Sequence, residues 1–272
     1  MPEGPELLFF SVFLKKKLIK KKFTEIKSFT NKPVILPNEW KGDILDVNCK
    51  GKLLWLYVSG NNFNYYMHIH FGLTGWLTFD KPESNIKFEL IFKKENSEKE
   101  INLYMEDKRR FSKINIYNEK DHNDIINKMG IDIFSDDFSL INFKNIIKNK
   151  NTFIAALLLK QDIFCGIGNY IKNEAMYLSY LKVKIKSSEI TDTQITNLYN
   201  NILFVGYSNL IEMLSEYKLE KYLNKNKKNN MPENIENPYK YRIYGREFTN
   251  DGKKVIKIKV SGRDTYSIKE LC

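Results

Sequence analysis

A change of apolar period near Tyr117 constrains this chain more than any other feature. From Phe23 to about Tyr117, short runs rich in β-branched and aromatic residues alternate with turn residues: FTEIKSF, ILDVN, LLWLYV, FNYYMHIHF, GWLTF, IKFELIF, INLYM and SKINIY. Runs this short and this evenly spaced predict a β-sandwich or barrel. Beyond Tyr117 the spacing becomes helical, around Asp121 to Lys128, Ser139 to Lys148, Thr152 to Lys160, Asn169 to Leu178 and Thr191 to Leu223. At 272 residues the chain is long enough for two modest cores. The expected class is therefore α+β, with domains at 1–130 and 135–272 and a boundary between Gly130 and Asp137.

Two flanking segments complete the outline. Glu6 to Lys22 places Leu7, Phe10, Leu14 and Leu18 on one stripe with a basic block from Lys15 to Lys22, predicting an amphipathic helix with a positive polar face. Late in the chain, NKNKKNNMPENIENP is polar and interrupted by Pro232 and Pro238, which predicts a loop. After it, YRIYGREF and KKVIKIKVSG flank Asn250-Asp251-Gly252, a hairpin signal.

Charge narrows the partners. Lys and Arg number 44 against 33 Asp and Glu, a formal charge of +11, which favours a polyanion: nucleic acid or an anionic membrane surface. No run approaches the ~20 apolar residues of a membrane span, and MPEGPELL lacks the order of a secretory signal. A soluble, intracellular protein is expected. Cys49, Cys165 and Cys272 are odd in number and widely spaced, which excludes a disulfide framework and a four-cysteine zinc site. His68 and His70 face one way on a strand. Without neighbouring carboxylate or thiolate ligands they read as structural residues and not as a metal pair.

Chemistry begins at the second residue. If Met1 is removed, Pro2 presents a secondary amine with a free lone pair and an α-amino pKa near the ~7.7 to 8.0 of ordinary termini. Such an amine can attack a sugar C1′ and form a Schiff-base adduct. Many chains begin Met-Pro, so a simply processed terminus accounts equally for this residue. Glu3 can supply proton transfer, and it serves equally as a helix N-terminal carboxylate.

The run MPEGPEL resembles the start of the formamidopyrimidine-DNA glycosylase and endonuclease VIII family, in which the N-terminal proline is the nucleophile; Gly4 looks more like the endonuclease VIII side. Further segments match in order along nearly the whole chain. In CKGKLLWL, Lys52 matches the family's strand-borne active-site lysine, which contacts the backbone beside the lesion. HIHFGLTGWL and MEDKRRFSKI resemble two turns whose side chains enter the duplex where the damaged nucleotide has left the stack, making Leu73, Arg109 and Phe111 wedge candidates. Without the match, Leu73 and Phe111 would read as core and Lys52 as a solvated turn residue. Leu replaces the usual Met and Ser112 the usual Gly.

CGIGNYIKNEAMY, Cys165 to Tyr177, resembles the family's Gly-Ile-Gly-Asn-x-Tyr-x-x-Glu turn between two helices. Its glycines permit close backbone approach, and Asn169 is expected to cap the following helix and donate to phosphate. Tyr170 falls one place early and takes no role from the family. IDIFSDDF resembles the linker into the helical domain. Family members usually close with a four-cysteine zinc finger that presents an arginine to the phosphates. Here Arg263 in SGRDTY matches that arginine, while Ile268 stands where a cysteine is expected, so the finger should be zincless.

The resemblance thus implies an N-terminal β-sandwich with a leading helix, then a helix–two-turn–helix domain ending in a zincless β-hairpin finger at about 239–272. It implies a bifunctional DNA glycosylase and AP lyase of base-excision repair, with Pro2, Glu3 and Lys52 catalytic. Asn169, Arg263, Leu73, Arg109 and Phe111 would contact DNA. The expected partner is double-stranded DNA carrying oxidised bases or abasic sites, bound by a monomer without metal or cofactor, and β,δ-elimination would follow excision. The alternative is a catalytically inactive damaged-DNA-binding protein of the same fold. A membrane-surface protein leaves the ordered motifs unexplained.

Overall fold

The computed structural model describes residues 2–30, 40–94, 97 and 99–272; Met1, on whose removal the terminal amine depends, lies outside the described residues. The chain divides into two compact units, one of Pro2 and Leu7–Lys128, the other of Glu3–Glu6 and Met129–Cys272. Helix α1 spans Gly4–Leu18. Leu7, Phe10, Leu14 and Leu18 are buried as expected, but so are Leu8, Phe9 and Val12. The helix is therefore apolar on several sides, and its positive charge is confined to Lys15, Lys16 and Lys17 in the last turn, where cations complement the helix dipole. It also stops short of Lys22. Lys20 adopts a φ of 62°, and Lys21–Ser28 pairs as strand β1.

In the first unit β1 is followed by β2 (Gly42–Lys50), β3 (Leu53–Ser59), β4 (Asn64–His70), β5 (Trp76–Thr78), β6 (Ile86–Lys94), β7 (Glu100–Glu106) and β8 (Lys113–Tyr117). They form one continuous antiparallel sheet in the order β5-β7-β6-β1-β2-β3-β4-β8. Register shifts at Phe23/Glu25, Ile44/Asp46 and Ile86/Phe88 are bulges, which bend and twist the strands that carry them. Helix α2 (Glu119–Asn127) closes the unit, its first turn capped by Asn118, whose Oδ1 accepts from the Asp121 N–H at 2.8 Å.

The second unit contains β9 (Ile131–Asp132), α3 (Leu140–Lys148), α4 (Ile154–Leu157), β10 (Phe164–Cys165), α5 (Asn169–Leu178) and α6 (Asp192–Glu216). Phe138, Phe143, Phe164 and Tyr199 pack ring against ring at its centre, with centroids 5.1 to 5.8 Å apart for the pairs Phe143–Phe164, Phe138–Tyr199 and Phe143–Tyr199. Thr191 and Gln194 form a capping box at the start of α6. The helix ends at Glu216 and not near Leu223. Lys218 takes a φ of 54°, and the bonds Leu219 N–H to Leu214 O and Lys218 N–H to Ser215 O make a Schellman ending with lysine in glycine's usual place.

The C-terminal hairpin also differs from expectation. Its strands are β11 (Ile256–Val260) and β12 (Arg263–Ser267), so the chain reverses at Ser261-Gly262. The Asn250-Asp251-Gly252 turn joins only a single bridge, Phe248 with Lys254. YRIYGREF forms no strand because a buried carboxylate captures it. Glu174 on α5 accepts from the Arg242, Ile243 and Tyr244 amides at 2.7 to 2.8 Å and from the Tyr239 hydroxyl at 2.7 Å. Those donors are then lost to any ladder.

Candidate active site

Pro2 is buried in the first unit and lines a pocket of about 460 Å³ with Leu7, Lys52, His70, Phe71, Gly72, Phe111, Lys113 and Asn115. Lys52 reaches it from the two-residue turn joining β2 to β3, where Gly51 takes a φ of 53°. It therefore belongs to a turn and not to a strand interior. Lysines flanking a small pocket suit a ligand that carries phosphate.

His68 and His70 part company. The His68 ring is fully buried, its Nε2 2.8 Å from His122 Nδ1, and burial pushes it down to about 3, with His122 and His70 adding to the effect. His70 faces the pocket instead. Among the described residues no three side chains of metal-ligating type converge.

Glu3 lies in the second unit and is 1% exposed. Its Oε1 accepts from the Tyr170 N–H at 2.8 Å and its Oε2 from the Ile171 N–H at 3.2 Å. The carboxylate therefore does sit at a helix N-terminus, though that of α5, distant in sequence, and not that of its own helix. The backbone runs equally close. Gly4 N–H donates to Gly166 O at 2.8 Å, and a Cβ on Gly168 would stand 2.1 Å from the Glu3 Cδ.

Asn169 does not cap α5. The cap position is Gly168, Asn169 is the first helical residue, and its buried Oδ1 has no hydrogen-bond partner among the described residues.

The two turns that carry Leu73, Arg109 and Phe111 are tied together at their base. Asp107 is fully buried and accepts from Thr74 Oγ1 at 2.5 Å, from the Ser112 N–H at 2.7 Å and from the Arg109 N–H at 3.2 Å. Burial pushes its carboxyl up, but these bonds outweigh burial and hold it below its ordinary value. Lys87 Nζ donates to the Arg110 and Ser112 carbonyls. Over this base the tips are open: Phe111 is 52% exposed, Arg109 lies over its ring with Cζ 5.0 Å from the centroid, and Leu73 is half-buried. Ser112, which stands in place of glycine, is fully buried, with its amide bonded to Asp107. Arg263 is exposed at the head of β12.

Sequence reasoning missed Glu6. Its Oε2 accepts from the Glu3 N–H at 2.7 Å, and the Tyr170 hydroxyl donates to its carboxylate at 3.2 Å. Burial pushes the carboxyl up to about 7, the Glu3 charge adding while the amide and hydroxyl bonds pull it back. A raised carboxyl value contributes stability below its unfolded value near 4.5 and loses it as pH rises through about 7. Glu6→Gln should therefore gain on the wild type by roughly 3 kcal/mol between pH 4 and pH 8. Urea midpoints at the two pH values measure this; a gap that stays constant would mean that the Glu6 carboxyl titrates alike in the folded and unfolded protein.

Comparison with known proteins bears on the fold and its relatives. Residues 1–114 match the model of the formamidopyrimidine-DNA glycosylase N-terminal domain. The formamidopyrimidine-DNA glycosylase of Rickettsia conorii is 26% identical over 292 residues, covering 99% of this chain and 98% of its own. That of Mycoplasma mobile is 24% identical over 279 residues with the same coverages. Among solved structures, the Lactococcus lactis enzyme bound to DNA containing an abasic site superposes with a TM-score of 0.73 at 19% identity, over 98% of this chain and 97% of that one. The Thermus thermophilus protein gives 0.70 at 21% identity, over 97% and 96%. Sheet, helices and hairpin thus have the α+β fold of the formamidopyrimidine-DNA glycosylases. Residues 1–114 carry the N-terminal domain of that family, and the chain resembles formamidopyrimidine-DNA glycosylases over nearly all of its length.

Proposed function

We propose that this chain is a bifunctional DNA glycosylase and AP lyase that removes oxidised bases from duplex DNA and nicks the strand through the amine of Pro2. The observation that carries the reading is Pro2 in a pocket shared with Lys52 and Lys113. Further support comes from the names of the relatives and from the DNA containing abasic sites on which a similar enzyme was solved.

In the proposed sequence the Pro2 nitrogen bonds to C1′ as the bond from C1′ to the base breaks, and the departing base takes a proton. Opening of the sugar gives an iminium at C1′. Loss of a proton from C2′ expels the 3′ phosphate, a second elimination expels the 5′ phosphate, and water releases Pro2. Glu3 relays protons and Lys52 holds the backbone beside the lesion. Leu73, Arg109 and Phe111 fill the vacated stack, and Asn169 and Arg263 contact phosphate.

The finger is proposed to be zincless. Between Tyr239 and Leu271 there is neither Cys nor His, and a buried Ile268 occupies the place of a ligand; these residues do not fit zinc, and no step depends on it.

The test is base release from a panel of duplexes, each bearing one oxidised pyrimidine, 8-oxoguanine or a further-oxidised guanine. We expect release with the pyrimidines and further-oxidised guanines ahead of 8-oxoguanine. Tight binding without release from any duplex would instead identify a damage-binding protein that has lost catalysis.

A further inference from the structure

Among the described residues β12 pairs only with β11, which leaves its other edge without a strand partner there. Two consecutive side chains of α5 occupy that edge. Lys172 Nζ donates to the Asp264 carbonyl at 2.9 Å and to Thr265 Oγ1 at 3.0 Å, while Asn173 Oδ1 accepts from the Tyr266 N–H at 2.9 Å. Backbone groups two residues apart on a strand face the same edge, so the two side chains meet Asp264 and Tyr266 as a neighbouring strand would. Asn173 is itself oriented by Nδ2, which donates to the Asn169 carbonyl at 2.8 Å.

Both residues are fully buried. A buried lysine is costly unless its donors are used. Burial pushes Lys172 down to about 8, with Glu3 and Asp264 drawing it back up and the neighbouring Arg263 lowering it further. A two-stranded hairpin is marginal by itself, and this one lacks the ligands that would let a metal hold it. The family resemblance of this segment rests on Gly166, Gly168, Asn169 and Glu174, which leaves Lys172 and Asn173 without a task.

We propose that Lys172 and Asn173 are positioning residues that clamp β12 to α5 and so fix the backbone from which Arg263 projects, the task a bound metal performs in a four-cysteine finger. The inference rests on the proposed contact of Arg263 with DNA.

The test combines steady-state kinetics on a lesion duplex with hydrogen exchange of the β12 amides. Lys172→Met and Asn173→Leu should each raise KM about tenfold while kcat changes less than about threefold. Tyr266 should exchange faster at an unchanged melting temperature. In an Arg263→Ala background neither change should raise KM further, because the clamp acts through that arginine. Asn173→Leu carries the test should Lys172→Met not fold. Losses that multiply with Arg263→Ala, or β12 exchange that does not respond, would overturn the clamp. A normal KM for Arg263→Ala alone, with faster exchange in the clamp variants, would retain the clamp and remove Arg263 from the DNA contact.

Discussion

Protein that retains Met1, or that carries an N-terminal tag, is expected to lose strand nicking by about 10³-fold or more. The argument is one of bonding. The nitrogen of an internal proline is an amide, its lone pair delocalised into the preceding carbonyl, and it cannot attack C1′. Removing Met1 turns the same atom into a secondary amine without moving it from the pocket shared with Lys52, His70 and Lys113. Borohydride trapping of an enzyme–DNA adduct should vanish in parallel with nicking. DNA binding should persist, since the wedge turns and the excess positive charge are untouched. Peptide mapping of the trapped complex decides the nucleophile. Attachment at Pro2 is the expected result; attachment at Lys52 or another lysine would keep the excision chemistry and discard the terminal amine.

How much of this was legible in the sequence depended on whether one local signal decided the outcome. The strand runs between Phe23 and Tyr117 were legible because short β-branched and aromatic runs alternate there with turn residues, and one sheet takes all eight of them. Two helix ends were not, although α3 and α5 end at Lys148 and Leu178 as expected. α1 and α6 are followed by Lys20 and Lys218 in the left-handed region, where glycine is the usual marker. Lysine favours helix, so the apolar pattern ran on past Leu18 and Glu216. The hairpin turn was misplaced for another reason: Asn-Asp-Gly is a good turn, but Glu174 had already taken the amides that a strand before it needed. At the candidate site the sequence named Pro2 and Lys52, which now share a pocket. It could not reveal that Glu3 is bonded to amides at positions 170 and 171, because no local pattern encodes a partner that far along the chain.

That distant contact leads to the second large expected effect, Gly168→Ala. Gly168 has a φ of −124°, which any residue adopts, so the backbone does not require glycine. As the cap of α5 it would lose stability by only about 1 kcal/mol on becoming alanine. Space is the obstacle: the new methyl would stand 2.1 Å from the Glu3 Cδ and 2.2 Å from Oε1. Glu3 must then swing away, abandoning the Tyr170 and Ile171 amides, and with the carboxylate goes the proposed proton relay. Misplaced proton transfer costs on the order of 10² to 10⁴ in rate, so excision should fall by that factor, and two buried amides left without their acceptor should lower the melting temperature by roughly 10 °C. Glu3→Gln should fall similarly, since its amide group would set a donor against one of those N–H groups. The two changes together should be no worse than Glu3→Gln alone, because both act on one group. Gly168→Ala with normal excision would mean that Glu3 is structural, and that the proton passes through another residue.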